Sequence, residues 1–288
     1  MDRHKKIGIT GHQRLVFILG HPLEHSLSPL MHNAAFRELG MAWSYLPLEV
    51  SVEEVGSAVN ILRSFNVQGA NVTVPYKSSV LPFLDKVDEQ SKWLGSVNTI
   101  YRLGNKLCGT STDGEGFLRS IGAKRKKLKG SIGLLLGAGG AGKAVAGALA
   151  LSGVKKVYLI DKSAKRAMDL CRLIRQYRSV QAIAISIKES EKVLMGCDWI
   201  IQATSVGLKQ GDPTPISLKN AQPGTWVLDL IYHRKTAFMK EAKAKGLSSL
   251  DGLGMLLNQG ALSFEYWTGR PAPLNVMARA LRWGISSR

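Results

Sequence analysis

The feature that most constrains this 288-residue sequence is the run Gly137-Ala138-Gly139-Gly140-Ala141-Gly142, set between an apolar stretch at 132–136 and an alanine-rich one at 143–151. The first stretch reads as a buried strand and the second as a helix, so the glycines form the turn between them. In such a unit the first glycine permits a tight turn and the second lets the backbone approach a pyrophosphate. The third lets helix and strand pack closely, with the helix N-terminus facing the anion. The next strand, 156–160, ends at Asp161, where a carboxylate is placed to accept hydrogen bonds from an adenosine ribose. Lys162 and, one helical turn later, Arg166 are suited instead to clamp a 2′-phosphate. The pattern leaves NAD and NADP both open.

Other readings of the same letters are weaker. Residues 132–151 are almost free of charge, but Lys143 near the middle and the clustered glycines argue against a membrane span. A formal net charge of +18 raises nucleic-acid binding, yet the basic residues are spread along helical segments apart from 124–129, and no nucleic-acid motif accompanies them. Cys108, Cys171 and Cys197 are odd in number, widely spaced and lack a C-x-x-C pair, which points away from disulfides and metal and toward a reducing compartment. Residues 1–14 are polar and lack the apolar core of a secretory signal. The expectation is a cytoplasmic protein, monomer or homodimer, with small anionic ligands and neither nucleic-acid nor membrane partners.

Strands and helices alternate on both sides of the glycine run, which predicts an α/β class. Strands are expected at 15–20, 43–49 and 68–74, with helices at 28–39, where Ser28 is the N-cap and Pro29 the first helical residue, and near 52–64. Residues 98–103 and 106–110 flank Gly104-Asn105 and read as a hairpin. The charged segment 124–130 suits an exposed connection. After it come a helix at 163–177 and strands at 181–185, 198–202 and 226–229, then helices at 253–267 and 273–283 that return toward the first domain.

In Asn71-Val72-Thr73-Val74-Pro75-Tyr76-Lys77, strand alternation puts Asn71 and Thr73 on one face and turns Val72 and Val74 into the core. Pro75 ends the ladder. Lys77 then follows the strand end, where ligands gather in open α/β sheets.

Taken in order, His25 to Pro29, Asn71 to Lys77, Gly95 to Thr99, Thr112-Asp113-Gly114, the glycine run, Ala203 to Gly207, and Gly252 to Leu256 with Gln259 resemble the shikimate dehydrogenase family across nearly the whole chain. The resemblance implies an N-terminal α/β substrate domain, 1–112 completed by 253–288, and a Rossmann-like, doubly wound dinucleotide-binding domain at 113–252. It implies an NAD(P)-dependent oxidoreductase that reduces 3-dehydroshikimate to shikimate, with NADP as the usual family cofactor and no metal. Sibling activities on quinate or aminoshikimate are the nearest alternatives, and Ser28 favours shikimate. A non-catalytic basic nucleotide-binding protein is the alternative of another class.

Residue by residue, Ser26 and Ser28 match the hydroxyl pair that binds the substrate carboxylate, and Asn71, Thr73, Asn98 and Gln259 match positions contacting ring hydroxyls. Lys77 and Asp113 match the catalytic pair, and Tyr232 a tyrosine lining the site. Gly137, Ala138, Gly139, Gly140 and Ala141, together with Asp161, Lys162, Arg166 and Thr204, cover the dinucleotide, with Leu230 and Gly252 near the nicotinamide. The chain departs from the family at Ser111 and Gln202, where asparagine is usual, and at Asp161-Lys162-Ser163, where Asn-Arg-Thr is usual.

Overall fold

The computed structural model describes residues 11–64, 66–177 and 180–287, so the expectation for 1–14 falls mostly outside the described residues. Two compact units emerge: the chain up to Thr112 together with the segment from Gln259, and Asp113–Asn258.

The first unit runs β1 (Arg14–Gly20), α1 (Ser28–Glu38), β2 (Trp43–Glu49), α2 (Val55–Ile61), β3 (Val67–Val72), β4 (Lys86–Val87), α3 (Glu89–Leu94), β5 (Thr99–Leu103) and β6 (Lys106–Thr110). Its sheet has the order β2-β1-β3-β5-β6-β4. β1 pairs parallel with β2 and β3, while the β5–β6 hairpin is antiparallel. A core of Leu19, Val59, Leu62, Val72, Val97 and Ile100 lies against it.

The second unit runs α4 (Asp113–Ser120), β7 (Ile132–Leu136), α5 (Gly140–Leu151), β8 (Lys156–Ile160), α6 (Ala164–Tyr177), β9 (Gln181–Ala184), α7 (Ile187–Val193), β10 (Trp199–Gln202), β11 (Trp226–Asp229), α8 (Ala237–Ala244) and β12 (Ser248–Asp251). Its strands are all parallel in the order β12-β11-β10-β7-β8-β9. Both faces are covered, which is why the strands read as continuous apolar runs. Leu134 and Leu136 join one core cluster with Ile200 and Val227, while Leu135 joins the other with Val157, Leu159 and Ile201. The order reverses between β7 and β10, the place where such sheets form a ligand crevice.

Helix α9 (Leu253–Thr268) begins in the second unit and ends in the first, and α10 (Leu274–Ser286) closes the chain. Within the first unit both meet α1. Gly260 sits against Met31, and a side chain at Gly284 would collide with Leu27 and Leu30.

Several local expectations are corrected. Ser28 is already helical, and the N-cap is Leu27; the Ser28 N–H is taken by Ser26 Oγ at 3.3 Å. β3 ends at Val72, because a turn closed by Tyr76 N donating to Thr73 O breaks the alternation, and Val74 is 64% exposed rather than in the core. Residues 124–130 lie inside the second unit, where a 3-10 helix, Gly122–Leu128, is anchored by buried Leu128. The glycine turn is shorter than expected, since α5 begins at Gly140. Among the described residues no helix is long and apolar enough to cross a membrane.

Candidate active site

In the first unit three amides converge. Asn98 follows the turn at the end of α3, which has Asp88 as N-cap and Gly95 as its left-handed C-cap. The backbone N–H of Thr112 donates to Asn98 Oδ1 at 2.8 Å, which fixes the amide orientation, since a backbone N–H has no other role than donor. Asn98 Nδ2 therefore donates to Gln259 Oε1 at 3.1 Å and to Thr112 Oγ1 at 2.9 Å. Asn71, at the end of β3, donates from Nδ2 to Asn98 O and to Ser263 Oγ, each at 3.0 Å, while its Oδ1 accepts the Tyr45 hydroxyl at 2.8 Å. The protein thus absorbs both Asn71 hydrogens. All three amides are at most 9% exposed.

The other first-unit candidates lie at the start of α1 and just past β3. Ser26 and Ser28 lie at the start of α1, with Ser28 buried. Thr73 is held by its N–H to Leu19 O at 2.8 Å, and Lys77, half-buried past the strand end, by its carbonyl to Val97 N at 2.8 Å. Tyr45, Thr99, Thr112 and Ser263 were not anticipated. Thr99 and Thr112 adjoin recognised residues and Ser263 lies one helical turn beyond Gln259, but nothing in the sequence brings Tyr45 to Asn71.

In the second unit Asp113, 4% exposed, is the first residue of α4. Gly137 adopts φ +102°, and a Cβ there would lie 2.7 Å from Ala203 O, so the glycine loop touches the loop after β10. A Cβ on Gly142 would collide with the Gly137 carbonyl. At Gly139, the N-cap of α5, a Cβ would meet nothing within 4 Å. The helix N-terminus therefore opens onto free space, and the loop fits a dinucleotide pyrophosphate. Ala138 lies between the two and is buried, while Gly140 and Ala141 form the first turn of α5.

Asp161 Oδ2 accepts the Ala138 N–H at 2.8 Å, and Oδ1 accepts Ser163 N at 2.8 Å and Arg166 Nη2 at 2.7 Å and Nε at 3.1 Å. Burial opposes its ionisation, but the two N–H groups and the guanidinium outweigh it and hold the carboxyl below its ordinary range. Lys162 is exposed nearby in sequence. Lys143 in the first turns of α5 has its ammonium pKa lowered by burial and by the Arg166 charge.

Thr204 follows β10, and its N–H is taken by Gln202 Oε1 at 2.5 Å, while Gln202 Nε2 donates to Val206 O at 2.7 Å. Gln202 is fully buried, and the extra methylene relative to asparagine lets it span the turn. Beyond β11, Asp229 fixes the segment carrying Leu230 and Tyr232 by accepting Ile231 N at 3.1 Å and the Thr236 hydroxyl at 2.6 Å. Burial raises the Asp229 pKa. Gly252 meets the Leu230 backbone too closely for any side chain. Among the described residues no cluster of three or more His, Cys, Asp or Glu side chains could hold a metal ion.

The family model for the shikimate dehydrogenase substrate binding domain matches residues 18–100, that for shikimate/quinate 5-dehydrogenase matches 121–210, and that for the shikimate 5'-dehydrogenase C-terminal domain matches 252–282. The shikimate dehydrogenase (NADP(+)) of Desulforamulus reducens is 39% identical over 279 residues, 95% of this chain and 96% of that protein. The crystal structure of shikimate 5-dehydrogenase from Listeria monocytogenes with shikimate and NAD superposes with a TM-score of 0.87 at 33% identity, over 95% of this chain and 98% of that one. The Thermus thermophilus enzyme with NADP(H) and shikimate gives 0.83 at 34% identity, over 94% and 99%.

Proposed function

The chain belongs to the shikimate dehydrogenase family, and from that premise we propose that it reversibly reduces 3-dehydroshikimate to shikimate with NAD(P)H, in the cytoplasm and on the route to chorismate and the aromatic amino acids. The observation that carries the reading is the buried group of Asn98 and Gln259 amides, joined at 3.1 Å. Directional donors and acceptors gathered in a buried place suit a small ligand dense in hydroxyls.

The nicotinamide cofactor supplies the hydride when bound. Lys77 Nζ delivers a proton to the substrate carbonyl oxygen in reduction and removes it from the hydroxyl in oxidation, and the Asp113 carboxylate orients that hydroxyl and the ammonium. Ser26 and Ser28 hold the substrate carboxylate, with Thr73, Asn98 and Gln259 on the ring hydroxyls and Tyr232 along the site. Asn71, with its hydrogens committed inside the protein, keeps at most an oxygen lone pair for the ligand. Leu230 and Gly252 border the nicotinamide, and Thr204 borders the dinucleotide.

The cofactor preferred is NADP, with NAD accepted. Three N–H donors crowd onto Asp161 Oδ1, while Oδ2 accepts the Ala138 N–H and keeps one lone pair for a ribose hydroxyl, which is why NAD is accepted as well. Arg166 offsets the negative charge that would oppose a 2′-phosphate.

Following the absorbance of the reduced nicotinamide with shikimate or quinate and NADP or NAD tests this directly. The highest kcat/KM is expected for shikimate with NADP. Faster turnover of quinate would move the chain to the sibling activity, and no turnover with any pair would overturn the dehydrogenase reading.

A further inference from the structure

Ser263 is fully buried on α9, and its hydroxyl, besides the helix back-bond to Gln259 O, sits at the centre of a polar cluster. Its Oγ lies 3.0 Å from Asn71 Nδ2, 2.8 Å from Thr99 Oγ1, 3.2 Å from Thr112 Oγ1 and 3.0 Å from Gln259 O. The proton directions follow from the groups. Asn71 Nδ2 can only donate, so Ser263 Oγ accepts there, and its single hydrogen is shared between Gln259 O, which can only accept, and Thr99 Oγ1. Thr99 Oγ1 in turn donates to Asn98 Oδ1 at 2.8 Å. Thr112 Oγ1 accepts from Asn98 Nδ2 at 2.9 Å and donates to Gln259 O at 3.0 Å. Asn71, Asn98 and Gln259 are thereby locked into one arrangement, with Gln259 Oε1 turned to Asn98.

We infer that Ser263, through Thr99 and Asn71, is a positioning residue for substrate: the Thr112 N–H sets which way the Asn98 amide faces, and Ser263 holds Asn71 and Thr99 against it, which steadies the Asn98–Gln259 pair and so the hydroxyl pattern the site accepts. This rests on the proposed dehydrogenase function and its placement of Asn98 and Gln259 on the substrate ring. The physical argument is that an amide reads a hydroxyl by the identity of the atom presented. Interchanging O and N in one amide swaps a donor for an acceptor and costs the bond rather than weakening it. Packing alone would ask only for a small side chain at 263. Four polar neighbours of a fully buried hydroxyl ask for the oxygen itself.

The test compares Ser263→Ala and the near-isosteric Thr99→Val with the unmodified full-length protein. Thr268→Ala serves as control, because its hydroxyl donates to Phe264 O at 2.8 Å on the same helix outside the cluster. Ser263→Ala is expected to raise the shikimate KM about five- to tenfold, the equivalent of one net hydrogen bond, with kcat and the cofactor KM changed less than about twofold. Thr99→Val should do the same, and the double variant should fall short of the product of the two because both act through one network. Thr99→Val gives the answer even if Ser263→Ala fails to fold. A lowered Tm with unchanged shikimate KM in the folded variants would show a merely structural role and overturn the inference. So would an equal rise in Thr268→Ala. Absence of shikimate turnover in the unmodified protein would overturn the functional reading and this inference with it.

Discussion

Arg166 Nη2 lies 2.7 Å from Asp161 Oδ1, and this ion pair joins the start of α6 to the carboxylate that also receives the glycine loop's Ala138 N–H. The Asp161 side chain is 5% exposed and that of Arg166 50%, so the acid is the fixed partner and the guanidinium the one that presents charge outward. Asp161→Asn should release Arg166 and raise the NADP-over-NAD ratio of kcat/KM. Arg166→Ala should lower that ratio by at least about tenfold, since a carboxylate left without its guanidinium repels a 2′-phosphate. Steady-state kinetics with both cofactors checks both signs, and a ratio unmoved by either variant would mean the pair does not face the ribose.

Lys77 and Asp113 make a different prediction because their proposed work is on the reacting oxygen. Lys77→Ala should lower kcat on the order of 10²–10⁴-fold, the usual share of a positioned acid or base, with cofactor binding nearly unchanged. Asp113→Asn should also lose most turnover. Cofactor affinity measured by fluorescence titration separates these losses from misfolding, and near-normal turnover in either variant would refute the assignment.

The second unit was the more legible part of the fold because β7, β8 and β10 are buried on both faces and so announce themselves as apolar runs. Short helices carry no such period. α7 was not foreseen, although Ser186 and Glu189 form a capping box that marks its start, and α3 is bounded by Asp88 and Gly95. The missed signals were therefore in the caps. In the site, Asn98 and Gln259 were identifiable as residues, but their mutual 3.1 Å contact and the link from Asn71 to Ser263 join positions far apart in sequence. Likewise Asp161 was read as a ribose ligand from its place at a strand end, whereas its four donors depend on where α6 begins and how Arg166 folds back.

Gln202 spans the loop that touches Gly137, with Thr204 N and Val206 O on opposite ends of its amide. Gln202→Asn shortens the reach by one methylene, so one of the two bonds is lost inside a fully buried site, at a cost of about 1–3 kcal/mol. The loop borders the proposed dinucleotide site, and the expected outcome is a lowered Tm and a cofactor KM raised severalfold, with the shikimate KM little changed. A selective rise in the shikimate KM would contradict this placement.

His32 gives the chain a built-in acid sensitivity. Its ring is fully buried, stacks on Tyr45 at 4.5 Å and meets the edge of Trp267 at 5.1 Å, and neither ring nitrogen has a hydrogen-bond partner. Burial pushes its pKa from 6.5 down to about 3. A folded pKa below the unfolded one means that the unfolded chain binds the proton first. Its contribution to stability is therefore intact above pH 6.5 and is lost progressively as pH falls from there toward about 3. At about 1.4 kcal/mol per unit of pKa the loss is on the order of a few kcal/mol, a large part of a typical domain's stability. His32→Phe removes the titrating group from an already aromatic site. Thermal unfolding between pH 7 and 4 should show a steeper fall in Tm for the unmodified protein than for the variant. Parallel curves would mean that the ring finds a charge partner or water on protonation, and that other groups set the acid limit.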